Sequence, residues 1–387
     1  MDNSALPEHR FNFFTWFLGN AKWYGTEWWI TLLGGFLLLF IIAFTVFAPQ
    51  IAPYDPIKFV GAPFASPGAQ QLIVVRADET AIQSIEDLEG QEIGIKNNTQ
   101  AGKELEALDL EAQDFLSFRK AYQSLVEDEV DALVIEEKDR ELRKMLAEPE
   151  NSIKVVGQPF GTEFVWGTDN FGRDVYSRMI HGARTVLAIG ILSALLSAMI
   201  GVPVGLISGF VGGSLDKALS LVMDSLYSFP GLVLAIAMAA LLGPGLFNIS
   251  IAIAVVYVPA YFRMVRGKVL SVKEELYVEA ARSLGARART ILGLYVFPNV
   301  IPSMVVIFSL NVADSILTEA GLSFLGLGLP PPTPDWGFDL SASRRYLPSG
   351  YWWTITFPGV MIALVTLGFS MLGEGLNEIL NPRLTET

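Results

Sequence analysis

The sequence predicts a polytopic α-helical membrane protein carrying an α/β domain inserted after its first span. Three observations lead there. Of 387 residues, 51% are hydrophobic, and mean hydropathy is +0.42. Apolar runs recur that are long enough to cross a bilayer, since about 20 residues at 1.5 Å rise cover a hydrocarbon core of roughly 30 Å. Between the first two runs lies a stretch with a different composition. Gly61–Phe160 holds 21 Asp and Glu against 10 Lys and Arg, a net of −11 out of −13 for the whole chain. Its acidity reads first as a solvated, soluble surface, and second as a surface that attracts a cationic ligand.

Residues 1–27 form a tail too long for a secretory signal, and the run WWITLLGGFLLLFIIAFTVFA (28–48) exceeds a cleavable apolar segment. It reads as a retained anchor with Trp28 and Trp29 at the interface. Five further spans follow near Val186–Ser208, Leu219–Leu242, Ile249–Val265, Val300–Leu322 and Trp353–Leu372. Pro203, Pro230, Pro259, Pro302 and Pro358 fall in them. Each removes a backbone donor and favours a kink, which a bundle tolerates.

The loop between spans four and five carries Arg263, Arg266, Lys268, Lys273, Arg282, Arg287 and Arg289; Arg10, Lys22 and Arg383 lie in the tails. Six spans place all of these on one side, which the positive-inside rule makes cytoplasmic, against Arg344 and Arg345 on the other. Both termini are then cytoplasmic, and the insert at 60–160 is extracytoplasmic. Within it, QQLIVVRA, QEIGIK, FLSF, VDALVIEE and IKVVG read as strands. SIEDLEG, TQAGKELEALDL, AYQSLVEDE and DRELRKMLAE read as helical segments between them. This alternation predicts an α/β unit with a mainly parallel sheet.

Enzyme chemistry has little material here. There is no Cys, the two histidines (His9 and His181) are far apart, and no G-x-x-x-x-G-K-[ST] phosphate loop occurs. No metal site, no nucleic-acid partner and no cofactor bound by this chain are expected. The informative stretch is YVEAARSLGARARTILGLYVFPNVIP (277–302). On a helix, Tyr277, Ala280, Ala281 and Leu284 share one small, apolar face. Glu274, Glu275 and Glu279 lie early, where the helix dipole favours anions. Gly285 suits a left-handed C-cap, and a second short helix, 286–295, would follow before Pro298. The small face admits close approach of a partner backbone; the basic second helix equally suits anionic lipid.

Glu279-Ala280-Ala281 followed by Gly285 and Pro298 resembles the coupling loop of ABC-importer permeases. WGTDNFGRDVYSRMIHGAR (166–184), GFVGGSLDKALSLVMDSLYSFPG (209–231), EAGLSFLGLGLPPPTPDWG (319–337) and GEGLNEILNPRL (373–384) are similar to the dipeptide/oligopeptide/nickel permease family, second subunit type. The resemblance implies an ABC type I importer permease with six transmembrane helices, its core at 163–375, a coupling loop at 272–296 and a cytoplasmic tail at 376–387. It implies that Tyr277, Glu279, Ala280, Ala281, Arg282, Gly285, Ala286 and Arg287 engage a separate ATPase that binds ATP and Mg. Further implied partners are a homologous permease chain, two ATPase subunits or domains in all, a solute-binding protein and membrane lipid. The substrate would be a peptide or related small solute moved by alternating access. A sensor with a ligand-binding insert, and an exporter or lipid extractor, are the alternatives.

The family's first connection is usually short, so the insert is an addition. SIEDLEGQEIGIKNNT and FRKAYQSLVEDEVDALVIEE resemble one lobe of a periplasmic solute-binding protein. That resemblance places Asn97, Asn98 and Thr99 at a ligand-facing turn able to hold a carboxylate. With one lobe present, the readings are a scaffold that holds the binding protein or the partner permease, residual ligand binding, or a spacer. Asp224, Asn311, Asp314 and Ser315 are the candidates for the translocation path, because carboxylates in apolar runs face a bundle interior or water; Asn311 is one turn from Asp314 and Ser315. Trp336 is expected at the membrane interface, and Asp169, Arg173 and Asp174 in a salt-linked turn.

Overall fold

A computed structural model describes residues 25–147 and 152–380. Arg10, Lys22 and Arg383, and most of both tails, lie outside the described residues. The chain forms two compact units: one of Met1–Ala43, Val186–Leu329 and Ile362–Thr387, the other of Phe44–Thr185 and Pro330–Met361.

The first unit is helical. Five helices are long and apolar enough to cross a membrane: Thr26–Val46, Val175–Val211, Leu246–Val272, Ala288–Phe324 and Trp353–Leu380. The sixth expected span, Leu219–Leu242, is instead two helices, Gly213–Tyr227 and Gly231–Leu242, bent by 89°. Pro230 explains the break. It lacks an N–H, it disfavours helical backbone at Phe229, and it occupies the N-cap of the second helix. Among the described residues the chain thus has five unbroken spans, or six if the bent pair is one.

Glycines set the closest helix approach. Gly201, Gly205 and Gly209 recur every fourth residue of Val175–Val211, on the side facing Leu246–Val272. A Cβ at Gly201 would lie 2.6 Å from Tyr261 Cβ, and one at Gly205 would lie 2.8 Å from the Phe262 carbonyl oxygen. Small residues at this spacing let two helix backbones meet, the usual source of packing energy between helices in lipid. Polar contacts cross the same bundle: Ser197 donates to the Ala254 carbonyl at 3.1 Å, and the Tyr257 and Thr318 hydroxyls are 2.9 Å apart.

The second unit contains the insert. Its strands are β1 (Gln71–Arg76), β2 (Ile93–Lys96), β3 (Ala112–Phe115), β4 (Ala132–Glu136) and β5 (Ile153–Phe160), in the order β3-β2-β4-β1-β5. β2 runs parallel to β3 and β4, whereas β1 is antiparallel to β4 and β5. The sheet is therefore mixed, not mainly parallel. FLSF is not the third strand, which ends at Phe115; Ser117 caps helix Phe118–Val126 by accepting from the Lys120 N–H. Alternation along the strands makes two cores. Ile73, Val75, Ile95 and Val134 pack with Leu88 and Leu105 on one face; Val74, Leu133 and Ile135 pack with Phe118, Leu125 and Leu142 on the other. This is why the strands read as unbroken apolar runs.

Candidate functional site

The expected coupling loop is a short helix, Leu276–Ser283, in the first unit. Glu275 is its N-cap, so Glu274 lies outside the helix and only Glu279 falls in its first turn. Gly285 has φ +81°, the left-handed conformation expected of it. Its N–H donates to the Arg282 carbonyl, and the Ala286 N–H donates to the Ala281 carbonyl, both at 3.0 Å. These are the two hydrogen bonds of a Schellman termination. The second short helix expected at 286–295 is not separate. Ala288–Thr290 passes through a π-turn, Ile291–Val296, directly into Phe297–Phe324.

Burial divides the short helix differently from the expected face. Val278 is buried among Val269, Val272, Ile291 and Val300, and Ala281 is buried as well. Tyr277, Ala280 and Leu284 are exposed, with Leu276 81% and Leu284 89% accessible. Ala281 therefore anchors the helix, whereas Ala280 lies on its outer side. Glu279, Arg282 and Arg287 are also exposed, and Ala286 is half-buried. The result is an apolar knob rimmed by charge, held by Val278 against Ile291, Val296 and Val300 at the root of a long helix.

The four residues assigned to a path do not form one constellation. Asn311 and Ser315 are buried and hydrogen-bonded to each other at 3.4 Å, whereas Asp314 lies on the exposed side of the same helix. Asp224 accepts from Arg263 at 2.7 Å, and that guanidinium also stacks over Tyr227 at 4.0 Å. Sequence reasoning missed Asp216, one turn into its helix, which takes Arg266 in a two-pronged pair at 2.6 and 2.8 Å. Arg266 lies 50 residues away on helix Leu246–Val272, so no local pattern joined the two.

In the second unit, the salt-linked turn is present and larger than expected. Asp169 holds Arg173 at 2.7 Å, and Asp174 accepts from the Ser177 N–H at 2.8 Å just after the start of helix Val175–Val211. Arg178 makes a bidentate pair with Asp339 at 3.1 and 2.7 Å. Burial pushes the Asp339 carboxyl above its ordinary value, while Arg178 pulls it down. Trp336 is fully buried and donates to the Met179 carbonyl at 3.0 Å, packed where Gly182 leaves room. It is a core residue of this unit and not an interface anchor.

Asn97, Asn98 and Thr99 line a cavity of about 820 Å³. The Asn97 N–H is already committed to the Phe115 carbonyl, and the Thr99 hydroxyl to the Lys96 carbonyl. The helix that follows, Gln100–Glu106, has seven residues. The Asn97 N–H and the Thr99 hydroxyl are thus already taken, while the Asn97 and Asn98 residues line the cavity.

Residues 201–386 match the family described as binding-protein-dependent transport system inner membrane component. The dipeptide transport system permease protein DppC of Alkalihalophilus pseudofirmus is 42% identical over 222 residues, which is 57% of this chain and 73% of that protein. The glutathione transport system permease protein GsiD of Pectobacterium atrosepticum is 43% identical over 56% of this chain and 72% of its own. Among solved structures, an ancestral arginine-binding protein bound to glutamine is similar over 32% of this chain and 56% of its own, at 26% identity and TM-score 0.24. The importer family sets aside the sensor and exporter readings. The family match, the identity to these permeases and the apolar helices converge: the chain belongs to the inner-membrane permease components of binding-protein-dependent ABC importers.

Proposed function

We propose that this permease imports peptides or peptide-like solutes as one half of a transmembrane pair driven by two ATPase subunits or domains on separate chains. ATP and Mg bind to those subunits, and a solute-binding protein delivers the substrate. Both termini and the 272–296 loop are cytoplasmic, the insert at 60–160 is extracytoplasmic, and the insert serves as a scaffold for the delivering protein or the partner permease. The dipeptide and glutathione permeases among its relatives support the substrate class.

The observation that carries the reading is the Leu276–Ser283 knob: exposed Tyr277, Ala280 and Leu284 on a helix closed by Gly285, whose Val278 packs against Ile291 and Val300 at the root of the Ala288–Phe324 helix. A rigid root lets a closing ATPase move a long helix as a body and exchange inward- and outward-facing states. Asp224, with its Arg263 partner, and Asp314 face the path. Both are exposed in the isolated chain, and a carboxylate among apolar spans faces water or a partner, not lipid. Asn311 and Ser315 act behind them, fixing the helix that carries Asp314.

The test is uptake of labelled di- and tripeptides into proteoliposomes holding the complete assembly. Uptake that needs both ATP and the solute-binding protein supports the reading. ATP-driven movement in the opposite direction, or uptake of none of these peptides, contradicts it.

A further inference from the structure

The 820 Å³ cavity is lined wholly by residues of the second unit, among them Trp353 at the start of helix Trp353–Leu380. One wall comes from the insert: the Asn97–Asn98 turn, the end of β4 at Glu136 and the start of helix Arg140–Leu146. The facing wall comes from two segments outside the sheet, Pro63–Pro67 and Ser349–Trp353. These walls are fastened together. Lys138 donates to the carbonyls of Pro67 and Gly68, the Ser66 N–H donates to Glu136 at 3.2 Å, and the Arg140 guanidinium lies against Gly350. One lobe therefore closes a cavity by using another part of its own chain, where a two-lobed binder would use a second lobe. The volume falls in the usual range for small-ligand sites.

The lining says what would fit. Three cations (Lys96, Lys138, Arg140) and three carboxylates (Glu136, Asp139, Glu141) balance, so a ligand of no net charge suits it. Lys96 and Asp139 satisfy each other at 2.9 Å, and Lys138 is taken by carbonyls. Glu136 and Arg140 remain without an ion-pair partner among the described residues, a carboxylate and a guanidinium on the same cavity. Beside them, Phe64 and Tyr351 stack face to face at 4.1 Å, an aromatic surface of the kind that attracts an ammonium. The Asn97 and Asn98 carboxamides supply donors and acceptors for an amide.

We infer that this cavity is a binding site for a small zwitterion, an amino acid or short peptide, with its ammonium on Glu136 and its carboxylate on Arg140. Burial pushes the Glu136 carboxyl above its ordinary value in the empty cavity, and a bound ammonium would reverse that. The site shares no residue with the proposed translocation path, and the inference stands or falls separately from the transport reading.

The experiment is calorimetric titration of the purified assembly in lipid nanodiscs with L-alanine, L-alanyl-L-alanine, its N-acetyl derivative and its C-terminal amide. Saturable binding of L-alanine or the dipeptide is expected. N-acetylation or Glu136→Gln should weaken dipeptide binding at least tenfold, and amidation or Arg140→Gln should do the same. Glutamine keeps the acceptor for Ser66, and unchanged melting temperatures of both variants verify the fold. No saturable binding of either zwitterion overturns the inference. So does binding that survives both substitutions, which would locate it among the spans. Uptake measured on the same variants shows whether transport persists when the cavity fails.

Discussion

Two arginine–aspartate pairs, one in each unit, have the same 2.7 Å contact and opposite surroundings. Arg178 and Asp339 are 1% and 9% exposed, with two hydrogen bonds between them, whereas Arg263 and Asp224 are 44% and 57% exposed and share one. A buried pair has lost its water and depends on its partner; an exposed pair keeps solvent as an alternative. The difference teaches where each unit is free to change. The second unit is pinned by an ion pair that holds helix Val175–Val211 to helix Trp336–Ser343. The span helices carry a pair that can open and close at small cost, as alternating access requires.

The largest expected effect is on the pinned side. Asp339→Ala leaves Arg178 charged and buried, and should destabilise the protein by about 3–5 kcal/mol. Thermal unfolding in detergent measures this, and the double variant Arg178→Met, Asp339→Leu should recover most of the loss. A melting point unchanged in Asp339→Ala would mean that the pair pins nothing.

Next is the knob. Valine at position 285 must adopt φ near +81°, a strain of about 1–2 kcal/mol for a side chain with a Cβ. Gly285→Val should lower ATP-driven uptake at least tenfold while the assembly persists, and Gly285→Asn, which tolerates left-handed backbone, should retain most of it. Equal uptake in all three proteins would place the hinge elsewhere.

The smallest stability effect belongs to the exposed pair. Asp224→Asn should change stability by less than about 1 kcal/mol, yet alter uptake through the path. A large loss of folded protein would show that this pair is structural, and would erase the contrast with Arg178–Asp339.

Local features were legible in the sequence. The first span read as 28–48 is Thr26–Val46, because hydropathy is a property of contiguous residues. Gly285 was legible because a helix termination is decided within six residues. Four of the five strands of the insert were anticipated; FLSF instead leads into a helix after β3 ends, and β1 was not recognised as antiparallel, since strand direction depends on neighbours distant in sequence. Asp339 is 161 residues from Arg178, and Trp336 is 157 from Met179; no local pattern joins them. Asn311 and Asp314 separated because three residues on a helix leave a 60° offset, enough to put one inside and one outside. The far wall of the cavity was illegible for the same reason: Tyr351 reaches Phe64 only through the fold.

The most direct measurement is site-specific cross-linking from Ala280 in a transport-competent assembly. The account predicts capture of an ATP-hydrolysing subunit, with a yield that changes between nucleotide-free and ATP-bound states. Capture of lipid alone, or of no ATPase while uptake continues, would contradict it.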